Sequence, residues 1–304
     1  MYTSDGLVNV ELKNCWYKKN GKKKINNRFG KESDSEYTMP MLSREERHAN
    51  NEKKKHFLQY ADYLKKGNVM TYTVFDNFGK GFIVLHLGGE GVLDCVHTYH
   101  KIKVAIGNAA NTKGMGGGGI DGRISIAGGD ALHEARKALP RDDKGDAIQV
   151  GGAVMTIAGD MDADYVIHAV GPNFSLISSE DGYMQLFRAY WNMLSQPVHF
   201  IAIPLISSGI YLGSQPLKKV VAVCLLAIFA YLTHNENKIA VPCAFTADEQ
   251  KEIKEVYELL FSKDDKGKVY VELGKLGNTD PEGVGLPDKL KDLFNSGYKK
   301  NTLL

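Results

Sequence analysis

The sequence predicts an α/β domain over 69–262, with an extension at either end. Three observations point there. From residue 69 onward, β-prone stretches run into glycine-rich turns and then into segments with helical apolar spacing, which is the pattern of α/β layering. Two of those turns, about 90 residues apart, follow short apolar strands. With 43% hydrophobic and 24% charged residues among 304, the chain holds enough apolar material for one sizeable core.

Residues 1–42 are polar and rich in Lys, Asn and Gly, and are expected to be irregular or a loosely docked arm. A helix is predicted over 43–66. Ser43 and Glu46 form a capping box, Phe57, Leu58, Ala61 and Leu64 give the apolar stripe, and Gly67-Asn68 ends it. The alternating stretch 69–75 predicts a strand and 81–87 a second. A third, 103–106, runs into Gly107-Asn108.

Downstream, 130–139 is read as a helix with Ala131, Leu132, Ala135 and Ala138 on one side. Strands are expected at 153–157 and 165–170, and a helix at 184–194 whose Phe187, Tyr190 and Trp191 belong to the core. Strand 200–204 ends at Ile206-Ser207-Ser208-Gly209. Helix 217–232 follows; its apolar run, 220–232, is too short to span a bilayer and reads as a buried helix. A short strand at 238–241 and a closing helix at 247–261 complete the domain. The charged, glycine-rich 263–304 is a tail, disordered or carrying a short helix near 288–294.

The formal net charge is +2. Residues 1–66 hold 15 Lys and Arg against 9 Asp and Glu, so the remainder stands at 2 − 6 = −4. The basic segment is read as a solvated surface; neither membrane nor nucleic acid is expected as a partner. Cys15, Cys95, Cys224 and Cys243 form no CxxC pair and no disulfide framework, which predicts reduced thiols in a cytoplasmic compartment. No secretory signal is visible, and a monomer is expected, with delivery into a host cytosol left open. His97 and His100 lack neighbouring ligands, so no metal is expected, and no cofactor.

The chemistry concentrates in two places. Gly107-Asn108-Ala109-Ala110-Asn111 leads through Thr112-Lys113-Gly114-Met115 to Gly116-Gly117-Gly118-Gly119-Ile120-Asp121-Gly122. Four consecutive glycines are costly in chain entropy. Backbone that must approach an anion closely, with its N–H groups toward phosphate oxygens, explains them. Gly114, Gly116 and Gly119 also satisfy GxGxxG, a weak match inside a glycine run, and no Lys-Ser/Thr ending makes it a P-loop. The second place is Ile206-Ser207-Ser208-Gly209-Ile210-Tyr211, again after a buried strand, where α/β sheets hold their ligands. Two such loops can pinch one diphosphate between them.

These residues resemble the macrodomain family, and within it the MacroD-like ADP-ribosyl hydrolases. Four blocks match in family order: Asn108 through Gly122, Ala127-Gly128-Gly129, Tyr165-Val166-Ile167-His168-Ala169-Val170-Gly171-Pro172, and Ile206 through Tyr211. The resemblance spans about 70–262. It implies a three-layer α/β/α sandwich around a mixed sheet that binds ADP-ribose and acts on mono-ADP-ribosylated protein. It implies that Asn108, Gly116, Gly117, Gly118, Gly119 and Ile120 belong to the ligand-binding set, the glycines as the first phosphate loop. Ser207, Ser208, Gly209, Ile210 and Tyr211 form the second loop, with Tyr211 beside the distal ribose. Asn111 fixes that ribose and Asp121 is the catalytic carboxylate. Such a carboxylate can position or activate water, and orientation alone carries much of the rate. The residues leave open whether Asp121 or the substrate's own phosphate is the base.

Three departures bear on that expectation. Where the family often has His after the Ile that follows Asp-Gly, this chain has Ser125, which cannot titrate. The adenine-holding acid has Glu90 as nearest counterpart and Asp94 as rival, and the 17 residues between Glu90 and Asn108 exceed the family's gap. The flanking extensions match nothing in the family. His168 is read as a packed histidine, and Asp121 has helix capping as its plain alternative. A reader that binds ADP-ribose without cutting it is the second functional reading. A nicotinamide oxidoreductase is disfavoured by Asn108, Asn111 and the second loop.

Overall fold

The structure is a computed structural model; it describes Lys55, Gln59 and residues 74–87, 91–96, 102–265, 267–277 and 282–298. Of the helix expected over 43–66, Lys55 and Gln59 are described, both helical. The remainder of 1–73, with Glu90, His97 and His100, lies outside the described residues.

Strands β1 (Val74–Phe78), β2 (Gly81–Leu85), β3 (Val104–Ala109), β4 (Ala153–Ile157), β5 (Tyr165–Ala169), β6 (Phe200–Pro204) and β7 (Ile239–Cys243) form one sheet in the order β1-β2-β7-β6-β3-β5-β4. The five central strands run parallel, and the edge strands β1 and β4 are antiparallel to their neighbours. The mixed α/β sheet is the one expected. Helices α1 (Gly119–Lys137), α2 (Ser179–Leu194), α3 (Leu217–His234) and α4 (Ala247–Leu260) cover it.

The central strands are buried on both faces, and their side chains alternate between two cores. Ala105, Ile201, Ile203 and Ala240 join the helices α2, α3 and α4. Val104, Ile106, Phe200, Ala202 and Val241 face the other way, onto Ile124 and Leu132 of α1 and onto Val92, Cys95 and Val96. That division makes the three layers. In α3 every residue from Val220 to Thr233 is buried, so its all-round apolar surface is spent inside the protein.

Several boundaries differ from expectation, among them the start of α2, which is Ser179 rather than 184. The first strand runs Val74–Phe78 rather than ending at 75, because the chain turns only at Gly79 (φ 82°). Strand β3 continues through Gly107 and Asn108 to Ala109, paired with β5 at each step. The helix placed at 130–139 starts eleven residues earlier, at Gly119, and is broken at Gly129 (φ 61°, ψ −160°). The division at 262 is also no packing boundary. Strands β8 (Phe261–Lys263) and β9 (Val269–Val271) form a hairpin, and α5 (Asp288–Tyr298) follows. Val269, Val271, Leu276, Leu286, Leu290 and Phe294 are buried in the same core as α2 and α3.

Candidate functional site

Parallel strands β3, β6 and β7 end side by side, and the loops after them form one edge of the sheet. The first loop folds on Asn111. Its Nδ2 donates to the Gly116 carbonyl at 2.8 Å, and its Oδ1 accepts from the Gly114 amide at 3.0 Å. Gly114 (φ 67°) and Gly116 (φ 99°) take the left-handed turns that result. A Cβ on Gly118 or Gly119 would meet nothing within 4 Å. At Gly118, with φ −89°, the protein's own packing therefore does not require glycine, whereas a close-approaching ligand would; at Gly119 the φ of 61° already favours glycine. Gly119 opens α1, so the helix's unbonded first amides face the same edge.

The second loop is held by its side chains. Ser207 adopts φ 61°, uncommon for a non-glycine residue, and its hydroxyl donates to the Pro172 carbonyl at 2.8 Å. Ser208 donates to Glu249 Oε1 at 2.6 Å and lies 3.0 Å from the Leu205 carbonyl. Glu249 also accepts from the amides of Phe245 (2.8 Å) and Thr246 (3.2 Å) as part of the α4 capping box. It thereby staples the loop after β6 to the loop after β7. Tyr190 Oη accepts from the Ile206 amide at 2.7 Å. With both serine hydroxyls engaged inside the protein, the second loop offers its backbone. Among the described residues, no protein group accepts from the amides of 115–118 or 207–211.

Asp121 sits at the first turn of α1, 3% exposed. Its Oδ1 accepts from Asn108 Nδ2 at 2.8 Å and from Arg136 Nη2. Its Oδ2 has no partner among the described residues and lies 3.4 Å from where a Cβ on Gly117 would stand; Asn111 Nδ2 is 3.3 Å from the same point. The buried, unpartnered carboxylate oxygen and the Asn111 amide thus converge on the point where a Gly117 side chain would begin.

Behind Asp121 runs a buried chain. Asn108 Nδ2 also bonds His168 Nδ1 (3.0 Å), His168 Nε2 bonds Thr156 Oγ1 (2.8 Å), and Thr156 donates to the Ile157 carbonyl (3.0 Å). Burial, reinforced by the Arg136 charge, pushes the His168 pKa down to about 3, so the ring is neutral. An amide nitrogen can only donate, so Nδ1 accepts and Nε2 carries the proton.

Asn111, Asp121, the glycines and the second loop lie along one edge of the sheet. Asn108, expected in the ligand-binding set, is 0% exposed; its Nδ2 bonds Asp121 Oδ1 and His168 Nδ1 and so braces the carboxylate, while its Oδ1 has no partner among the described residues. Ile120 is half-buried against the core beneath α1. Ile210 is 90% exposed and Tyr211 half-buried, its carbonyl accepting from the Phe174 amide at 2.9 Å.

Three residues at this edge carry no usable signal in the sequence: Glu249, Phe245 and Arg136. Phe245, 41% exposed after β7, has the Arg123 guanidinium 5.3 Å from its ring. Arg136, 1% exposed, is 15 residues from Asp121, about 22 Å along an unbroken helix. The break at Gly129 folds the second half of α1 back to deliver it. Removing one partner of so buried a pair costs about 3–5 kcal/mol.

Fold and site define an α/β/α domain whose ligand edge is built from free backbone amides around one carboxylate. A family model for the Macro domain matches residues 107–224. A macro domain-containing protein of Caldanaerobacter subterraneus is 37% identical over 178 residues, 56% of this chain and 90% of that relative. The O-acetyl-ADP-ribose deacetylase of Salmonella typhimurium is 45% identical over 111 residues, 35% of this chain. That match and the one to a macro domain-containing protein of Streptomyces nogalater, 40% identical over 111 residues, each span 60% of the relative's length. The Oceanobacillus iheyensis macrodomain, solved with ADP, superposes with a TM-score of 0.53 at 23% identity, over 61% of this chain and 94% of that one, and shares the fold. The chain belongs to the macrodomain family.

Proposed function

We propose that this protein binds ADP-ribose and hydrolyses it from mono-ADP-ribosylated protein or from an acyl-ADP-ribose. The observation that carries the reading is the buried, unpartnered Oδ2 of Asp121, which shares with the Asn111 amide the point where a Gly117 side chain would begin. The diphosphate lies between the free amides of 115–118 and 207–211, aided by the positive end of α1. Phe245 offers the aromatic surface for the base. Tyr211 stands beside the distal ribose, and the remaining amide proton of Asn111 reaches its hydroxyls. Asp121 Oδ2 accepts a hydrogen bond from the attacking water and orients it toward the anomeric carbon. The bond from that carbon to the acyl oxygen or nitrogen breaks, water supplies the new hydroxyl, and its proton passes to the leaving group. The name of the Salmonella typhimurium relative supports the deacylating form of this reaction. Unbridged buried thiols at Cys95, Cys224 and Cys243 fit a reducing, cytosol-like compartment.

A reader without activity is the second reading. It is favoured by Ser125, which offers no titratable group beside Asp121. The test is release of ADP-ribose by wild type and Asp121→Ala from Asp/Glu-, Arg- and Ser-linked mono-ADP-ribosylated proteins and from O-acetyl-ADP-ribose, with calorimetric ADP-ribose binding alongside. Release by wild type and loss in the variant is expected. Binding without release from any substrate would favour the reader.

A further inference from the structure

We infer that Arg136 is a positioning residue for Asp121, seated by Ser125, and that this clamp sets which carboxylate oxygen meets the substrate; the inference rests on the hydrolase reading. The guanidinium is anchored twice. Nη2 donates to Asp121 Oδ1, and Nη1 donates to Ser125 Oγ at 2.5 Å. Ser125 in turn donates to the Asp121 backbone carbonyl at 2.8 Å, closing a ring from carboxylate to guanidinium to hydroxyl to main chain. Asn108 adds a second donor to the same Oδ1. One oxygen is therefore saturated and turned inward, and rotation of the carboxylate would break two charge-assisted or buried bonds. Oδ2 is left facing the Gly117 side.

The clamp also underlies the first loop. A Cβ on Gly116 would stand 3.0 Å from Ser125 Oγ and 3.6 Å from Arg136 Nη1, so the loop rests directly on it. Here Ser125 acquires a purpose. A residue as large as His would fill the space the guanidinium takes between Gly116 and Asp121. The group beside Asp121 in this chain is a fixed charge brought from the far half of α1.

The experiment measures kcat, KM and calorimetric ADP-ribose affinity for wild type, Arg136→Met, Arg136→Lys, Ser125→Ala and Ser125→Thr, with melting curves to confirm folding. Arg136→Met is expected to lower kcat at least 30-fold while KM and ADP-ribose affinity change less than 3-fold. Arg136→Lys recovers part of that loss, because one ammonium cannot serve Asp121 and Ser125 in the planar fork. Ser125→Ala, a milder change should Arg136→Met not fold, lowers kcat 3- to 10-fold with affinity unchanged, and Ser125→Thr restores it. Wild-type kcat in folded Arg136→Met, or in Ser125→Ala, overturns the clamp. So do losses that fall equally on ADP-ribose affinity and kcat. An inactive wild type fails the hydrolase reading itself, a result distinct from an active wild type indifferent to Arg136.

Discussion

Gly117→Ala separates catalysis from folding at one methyl group. Gly117 has no positive φ, so alanine meets no backbone strain there. Its Cβ would stand 3.3 Å from Asn111 Nδ2 and 3.4 Å from Asp121 Oδ2, tight to ordinary contact with both. A less flexible unfolded chain favours the variant by about 0.4–1 kcal/mol, which offsets the crowding, so stability should change by less than about 1 kcal/mol. The methyl nonetheless occupies the place where Asp121 would hold water. Loss of a positioned acid–base group costs about 10²- to 10⁴-fold, or roughly 3–5 kcal/mol in the barrier. Thermal melting together with kcat on the best substrate checks both halves. Gly116→Ala is the contrast: at φ 99° and 3.0 Å from Ser125 Oγ it should also lose about 1–3 kcal/mol of stability. A Gly117→Ala protein with wild-type kcat would refute the placement of water at Asp121 Oδ2.

Gly129→Ala should melt several degrees below wild type, since φ 61° with ψ −160° is essentially a glycine conformation and a Cβ would lie 2.2 Å from Asp160 Oδ2; scanning calorimetry reads it. His168 makes stability depend on pH. Its folded pKa of about 3 lies below the ordinary 6.5, so between those values the unfolded chain takes up a proton that the folded one refuses. Stability is undiminished above pH 6.5 and falls as pH drops toward 3, by about 1.4 kcal/mol per unit at most. Denaturant titrations at pH 7 and 4.5 should show a shallower fall in His168→Gln than in wild type, and equal falls would contradict the neutral buried ring.

The sheet was legible because buried parallel strands such as 200–204 read as short apolar runs, and the two loops because glycine and hydroxyl residues follow those runs closely. The start of α1 was not. Gly119, Gly122 and Gly128 are poor helix formers, and their presence hides a helix that tertiary packing enforces. With α1 begun at 130, nothing in the sequence connects Arg136 to Asp121; the fold-back at Gly129 is a three-dimensional fact. The resemblance alone puts Asn108 in the ligand-binding set. The continued pairing of β3 with β5 turns it inward. The hairpin β8–β9 eluded periodicity because three-residue strands are too short to show one.

The packing of the last forty or so residues decides where this protein can be cut. A fragment ended at 262 would keep every residue of the ligand edge yet lose Val269, Val271, Leu276, Leu286, Leu290 and Phe294 from the core. It would also bare the ring of Phe187, against which Phe294 stands edge-on at 6.1 Å. Such a piece would present a broad greasy face and should aggregate rather than report on the site. A working minimal version has to extend through α5, to Tyr298.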